Sequence, residues 1–395
     1  MNSNTKKKKI LFYCQPVLGI GHFIRSRAIV QGLGDFEVCF VNGGEIVRGL
    51  ELPDSVELVN LPALKSDAEF QSIHVADTTH NLEQVKAIRQ ELILSTFERV
   101  KPDILLIELF PFGRRKFEFE LMPLLERIRS EGRPTKVVCS LRDILVSKRK
   151  QAQYEEEVCS LMNQYFDLLL IHADPGFQRL EETFPALREI KCEIRYTGFV
   201  IQKAEEGEFS RPDSEEAFIV VSIGGGRVGL ELLECAVEAS DRIGEDVPHR
   251  MHIVTGPLMP EEQFLALEQK VEESPRITIQ RYTTQFINYL RQADLSISMA
   301  GYNTCMDILT TGVRALVFPF AGNGNQEQTV RARKLEKMGL VRIVDPLQLE
   351  PGYLAEEIAR SLQNPRKAPI PILDMRGVER TAEILARLCA LAPLR

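Results

Sequence analysis

Several signals that would point to other functions are absent from this chain. None of the eight cysteines stands in a CxxC pair, and no Cys/His spacing suits zinc. Cys14, Cys39, Cys139, Cys159, Cys192, Cys235, Cys305 and Cys389 are single, and most sit in apolar runs. There a free thiol packs as a small hydrophobe, which points to a reducing, cytoplasmic setting. No apolar stretch reaches the roughly 20 residues of a membrane span. No Asp-x-Asp triplet occurs, so no carboxylate-held divalent metal is called for. A net basic charge is also lacking. At −7 the chain gives no support to a nucleic-acid partner. The beginning lacks the marks of a signal peptide. Lys6 to Lys9 precede only a short apolar run, Gln15 and Pro16 interrupt it, and no A-x-A site follows. It reads as a solvated basic tail and a buried first strand, with a weak contact to an anionic membrane surface left open.

What is present is an alternation of short apolar runs with amphipathic segments. At 395 residues the chain is too long for one ordinary core. Strand-like runs stand at Ile10–Cys14, Phe36–Val41, Asp103–Leu109, Thr135–Leu141 and Asp167–His172, with helical patterns at Asn81–Val100, Phe117–Glu131 and Lys150–Phe166. Continuous apolar strands between helices imply a parallel sheet covered on both faces. The polar, acidic stretch 201–216 breaks the pattern and reads as a linker. Alternation restarts at Phe218–Ile223 and continues through Met251–Thr255, Ile277–Gln280, Asp294–Ser298, Arg314–Phe318 and Leu340–Val344. The expected fold is α/β: two doubly wound Rossmann-like domains, 1–200 and 217–375, facing across a cleft, with a C-terminal helix at 376–395.

Four segments could carry chemistry. Gly19-Ile20-Gly21-His22 follows the first strand and precedes a helix expected at Phe23–Leu33, and Arg25 lies one turn on. His22 has the proton affinity for acid–base work near neutral pH, although a capping role is about as good a reading. Gly224-Gly225-Gly226-Arg227-Val228-Gly229 matches G-x-G-x-x-G and raises a nicotinamide-dependent oxidoreductase. The acid that should end the next strand is missing, since Thr255-Gly256-Pro257 stands there. A diphosphate cradle, or a tight turn without a ligand, still fits. In Ser298 to Gly312 a strand ends in small residues and a helix begins near Tyr302. The first-turn N–H groups of a helix beginning there, at Tyr302, Asn303 and Thr304, suit a phosphate, and Asp307 one turn later suits the two hydroxyls of a ribose. Phe318 to Gln328 is a Gly/Asn loop whose amides, among them Asn325, Gln326 and Gln328, suit a hydroxylated ligand or merely a capped turn. The stretch Leu61 to His80, with Asp67, His74 and His80, is either an acceptor-side loop or an ordinary surface loop.

The third and fourth segments together resemble the C-terminal domain of GT-B glycosyltransferases. A well-known family of this kind that they resemble is the peptidoglycan N-acetylglucosaminyltransferase family that makes lipid II. Gly19 to His22 is similar to that family's glycine–histidine loop. Glu108-Leu109-Phe110-Pro111-Phe112-Gly113 and Ser140-Leu141-Arg142-Asp143 resemble a group of predicted bacterial glycosyltransferases. The resemblance implies an acceptor domain in the first half and a nucleotide-sugar donor domain in the second. It implies that Asp307 holds the ribose of a UDP-sugar, and that Gly301 to Thr304 take the phosphate. Gln326 to Gln328 would read the sugar, and Gly224 to Gly226 would face the diphosphate. His22 would serve as base or orienting group, with Glu108 as its partner. Gly19, Gly21 and Arg227 are counted on the donor side. There are departures. The family's Gly-Gly-Ser turn is Gly224-Gly225-Gly226 here, its arginine after Thr197-Gly198 is missing, and Arg331-Ala332 stands for Asn-Ala.

The combined reading is a metal-independent, inverting glycosyltransferase without a cofactor, the nucleotide-sugar being a substrate. Its acceptor would be a small molecule or a lipid. A nucleotide-sugar hydrolase of flagellar-sugar biosynthesis shares the loop continuing to Arg25 and the Asn325-Gln326 pair, and is the alternative.

Overall fold

The computed structural model describes residues 6–16, 19–47, 49–66, 73–75, 80–204, 211, 215–244, 247–320, 322, 326–363 and 373–390. Asp67, Asn325 and parts of the 201–216 stretch lie outside the described residues. The chain divides into two compact units, Met1–Val200 with Leu373–Arg395, and Ile201–Ile372.

The first unit begins with β1 (Lys9–Cys14), α1 (Gly21–Gln31), β2 (Glu37–Asn42) and β3 (Glu57–Asn60). The short antiparallel pair β4 (Leu64–Ser66) and β5 (Ile73–Val75) follows. Next come α2 (Leu82–Val100), β6 (Ile104–Glu108), α3 (Glu118–Ser130), β7 (Lys136–Arg142), α4 (Gln151–Tyr165), β8 (Leu168–His172) and β9 (Glu193–Tyr196). Seven strands form one sheet in the order β3-β2-β1-β6-β7-β8-β9, every pairing parallel. Strands β6 and β8 are buried at every residue, which is why they read as unbroken apolar runs. The edge strands β3 and β9 keep polar, exposed positions and carry no such run, so the pattern along the chain does not announce them. Helix α2 starts where Asn81 and Gln84 form a capping box, each side chain accepting the other's backbone N–H at 2.9 and 3.1 Å.

Helix α1 begins two residues before the expected start. Gly21 and His22 are its first residues, and Ile20 at the cap offers no side-chain acceptor.

The second unit runs through β10 (Ala217–Ser222), α5 (Leu230–Ile243), β11 (His249–Val254), α6 (Glu261–Glu272), β12 (Ile277–Gln280) and α7 (Phe286–Gln292). It continues with β13 (Leu295–Met299), α8 (Tyr302–Thr311), β14 (Ala315–Phe318), α9 (Glu327–Lys337), β15 (Arg342–Ile343) and α10 (Pro351–Gln363). Its six strands are again all parallel, in the order β12-β11-β10-β13-β14-β15. Both sheets reverse direction once, between β1 and β6 in the first unit and between β10 and β13 in the second. Such switch points are where open α/β sheets take ligands.

After the second unit the chain returns to the first. Phe199 N–H donates to the Asp374 carbonyl at 2.7 Å, and Gly377 N–H donates to the Phe199 carbonyl at 2.9 Å. Helix α11 (Gly377–Ala390) then packs Val378, Leu385 and Leu388 into the core that holds Ile29, Val30 and Leu33. The C-terminal helix is thus part of the first unit. Among the described residues no helix is long and apolar enough to cross a membrane.

Candidate active site

At the first switch point the sheet brings His22 and Glu108 together. His22 stands one helical turn from Arg25 on α1, behind β1, and Glu108 is the last residue of the neighbouring β6. His22 Nδ1 lies 2.7 Å from Glu108 Oε1, and an Arg25 guanidinium nitrogen donates to that same oxygen. Burial would raise the Glu108 carboxyl. His22, Arg25 and Arg114 outweigh it and hold the group down at about 2. An ionised carboxylate has no proton to give, so Nδ1 must carry the hydrogen and Nε2 the lone pair. Burial, with help from Arg114 and Arg25, presses the imidazole down to about 4 against the pull of Glu108. His22 is therefore neutral at pH 7, with its basic nitrogen turned from the carboxylate. Glu108 is fully buried, and its Oε2 has no hydrogen-bond partner among the described residues.

The segment after Glu108 is held in an unusual backbone shape. Leu109 and Arg114 both adopt positive φ, 68° and 63°, which side-chain-bearing residues rarely do. Arg114 Nε donates to the Gln15 carbonyl at 2.6 Å. Gln15 is itself fixed by Arg89, whose five N–H groups are all engaged. They reach both oxygens of Glu120 at 2.7 Å, the carbonyls of Gly43 and Pro62 at 3.0 and 2.7 Å, and Gln15 Oε1 at 2.6 Å. Arg89 and Glu120 are fully buried. This satisfied pair ties the segments after β1 and β2 to helices α2 and α3. Gly19 and Gly21 lie in this unit beside His22, and nothing stands within 4 Å of where a Cβ on Gly19 would project. His74 on β5 and His80 are exposed.

The second switch point gathers most of the expected donor residues. Helix α8 starts at Tyr302, directly after β13, and Gly301 at its cap offers no side-chain acceptor. Asn303 is half-buried, and Thr304 and Asp307 are buried one turn apart. Asp307 is 3% exposed, and burial pushes its carboxyl up to about 8, with Gln202 pulling the other way. Gln202 Nε2 donates to Asp307 Oδ2 at 3.3 Å. The fully buried Arg331 on α9 donates to the Ala300 carbonyl at 3.1 Å and lies 5.6 Å over the Tyr302 ring. It braces the chain just before the helix start. Gln328 is used locally, its Oε1 accepting the Phe320 N–H at 3.0 Å, while Gln326 is exposed at the start of α9.

The glycine turn is divided between two roles. Gly224 is exposed, but its N–H donates to Ser222 Oγ at 3.2 Å. Gly226, at φ 92°, faces protein instead. An added Cβ would stand 2.7 Å from the Thr255 carbonyl oxygen and 2.8 Å from the Met259 nitrogen. Arg227 is half-buried on the same turn. The close approach that this glycine permits is to the segment after β11. Strand β11 ends at Val254 with no acid following.

Sequence reasoning passed over Arg114 and Gln202. Arg114 reads as one member of a basic triplet. Gln202 falls in a stretch that looks like linker, and its partner is over one hundred positions away along the chain.

Comparison with known proteins agrees with this fold. Residues 220–383 match the glycosyltransferase family 28 C-terminal domain. The chain is 27% identical, over 52% of its length, to a protein of Acetivibrio thermocellus, and covers 55% of that protein. The relative is named UDP-N-acetylglucosamine–N-acetylmuramyl-(pentapeptide) pyrophosphoryl-undecaprenol N-acetylglucosamine transferase. The chain spans about half the length of the curated relatives it matches. Among solved structures, the glycotransferase of kitacinnamycin matches with a TM-score of 0.64 at 15% identity, over 97% of this chain and 99% of that one. MurG of Acinetobacter baumannii matches with a TM-score of 0.55 at 14% identity, over 96% and 99%. At such identities the likeness speaks for the fold. The chain has the fold of the GT-B glycosyltransferases, and its residues 220–383 are similar to the C-terminal domain of glycosyltransferase family 28.

Proposed function

We propose that this chain transfers a sugar from a UDP-sugar to an acceptor hydroxyl, without a metal and with inversion at the anomeric carbon. The observation that carries the reading is the arrangement at the second switch point. A buried carboxyl, Asp307, stands one turn behind a helix start that has no side-chain cap. The N–H groups of the first turn of α8 take the diphosphate, and both ribose hydroxyls donate to Asp307. Gln326, Gln328 and Asn325 read the sugar. The name of the Acetivibrio relative supports a UDP-linked donor and a lipid-linked acceptor.

In the reaction His22 Nε2 takes the proton of the acceptor hydroxyl. The oxygen forms a bond to the anomeric carbon as the bond to the diphosphate oxygen breaks. UDP leaves with the electron pair, its charge met by the N–H groups of α8. Glu108 keeps the ring in its Nδ1–H form and offsets the imidazolium as it appears.

A thermal-shift comparison of UDP, dTDP, GDP and NADH in EDTA tests the donor. A ligand at about 100 times its Kd adds about 2.7 kcal/mol to the unit that binds it. Stabilisation by UDP alone is expected, and stabilisation by NADH alone defeats the reading. UDP released from a UDP-sugar equally fast with and without acceptors would move the assignment to a hydrolase, in which water replaces the acceptor.

A further inference from the structure

We propose that Arg25 is a positioning residue that keeps His22 a neutral, weak base. It does so by sharing the one Glu108 oxygen that the imidazole also uses. The inference rests on the reading of His22 as the base. Its structural content concerns the free protein.

Both donors converge on Oε1. His22 Nδ1 is 2.7 Å away, and an Arg25 terminal nitrogen donates to the same atom while lying 3.4 Å from Nδ1. Arg25 is 2% exposed, and its partner carboxylate is fully buried. In a simple histidine–carboxylate pair the whole negative charge is available to an imidazolium, and protonation is favoured. Here a guanidinium has already neutralised that charge and stands beside the ring. The charge a proton would add to His22 meets Arg25 on its own helix and Arg114 from the segment after β6. Only an already compensated Glu108 attracts it. Arg142 at the end of β7 adds a further positive charge near Arg114, whereas Cys14 and His172 are uncharged at neutral pH. Burial raises the thiol of Cys14 on β1 to about 12. Burial lowers His172 on β8 to about 3, its ring lying between Ser140 Oγ at 2.8 Å and Thr197 Oγ1 at 2.9 Å. The low basicity of His22 thus follows from burial, from Arg114 and from where Arg25 sits on the shared carboxylate oxygen. Its consequence is a base that stays unprotonated well into the acidic range.

Long-range proton–nitrogen NMR of the histidine rings tests this in the ligand-free protein. Six histidines are present, and the spectrum of His22→Gln identifies the signal. In the wild type His22 is expected in the neutral Nδ1–H form at pH 7, titrating only near pH 4. In Arg25→Met its titration is expected to rise by about one pH unit or more. Arg25→Lys restores the charge and is expected to bring the titration at least halfway back. An unchanged His22 titration in Arg25→Met overturns the proposal. Should that variant not fold, an Nε2–H form in the wild type overturns it equally. Because no substrate is present, either failure leaves the transferase assignment to be judged by its own donor test.

Discussion

Asp307 places a demand on the protein that its neighbours do little to meet. Burial holds its carboxyl up at about 8, and the Gln202 amide is the opposing influence. An unfolded aspartate titrates near 4, so between about pH 4 and about 8 the native state binds more protons than the unfolded chain. The stability this group contributes is complete below the lower limit and is lost as pH rises through the upper one. Asp307→Asn mimics the protonated form. It should raise the melting temperature more at pH 8 than at pH 5, while abolishing stabilisation by UDP. A gain equal at both pH values, or a retained UDP response, would contradict the assignment. His22→Ala should lower turnover by about a hundredfold to ten-thousandfold while leaving UDP affinity unchanged, as kinetics and calorimetry on the same preparation would show. The sequence was informative for His22 and Glu108 because one opens the helix that follows a strongly apolar strand and the other ends such a strand, where side chains of such folds meet ligands. Gln202 and Arg114 were not legible, because their roles depend on a partner that only tertiary folding supplies: Asp307 for one, the Gln15 carbonyl for the other.

At the scale of elements, legibility followed burial. The strands buried throughout were evident from composition alone, whereas β3 and β9, at the sheet edge with exposed polar positions, were not. The G-x-G-x-x-G turn matched a ligand-binding pattern, yet Gly226 faces the Thr255 carbonyl and the Met259 nitrogen. A motif records a backbone shape; it does not record what the backbone approaches. This gives a contrast to measure by urea unfolding of the second unit. Gly226→Ala combines a φ of 92° with a Cβ 2.7 Å from a carbonyl oxygen, and should cost roughly 2 kcal/mol or more. Gly224→Ala has a φ of 69° but nothing within 4 Å, and should cost about 1 kcal/mol. Equal losses would mean that the approach to Thr255 is not what constrains the turn.

At the scale of the whole molecule, the first unit is closed by a helix that follows the second unit along the chain. Removing residues 377–390 strips Val378, Leu385 and Leu388 from the core shared with Ile29, Val30 and Leu33. The shortened chain should bind a hydrophobic dye and lose the first unit's transition on heating, while the second unit keeps its response to UDP. A two-transition profile identical to that of the full chain would refute this. The same connectivity has a consequence for synthesis. Residues 201–372 form the second unit, and all of them leave the ribosome before α11 does. At about 5–20 residues per second, the nascent first sheet waits on the order of ten seconds or longer with the apolar strip around Ile29 uncovered. The first unit therefore completes its core only after the second has been synthesised, and a holding chaperone would find its target at that strip during this interval.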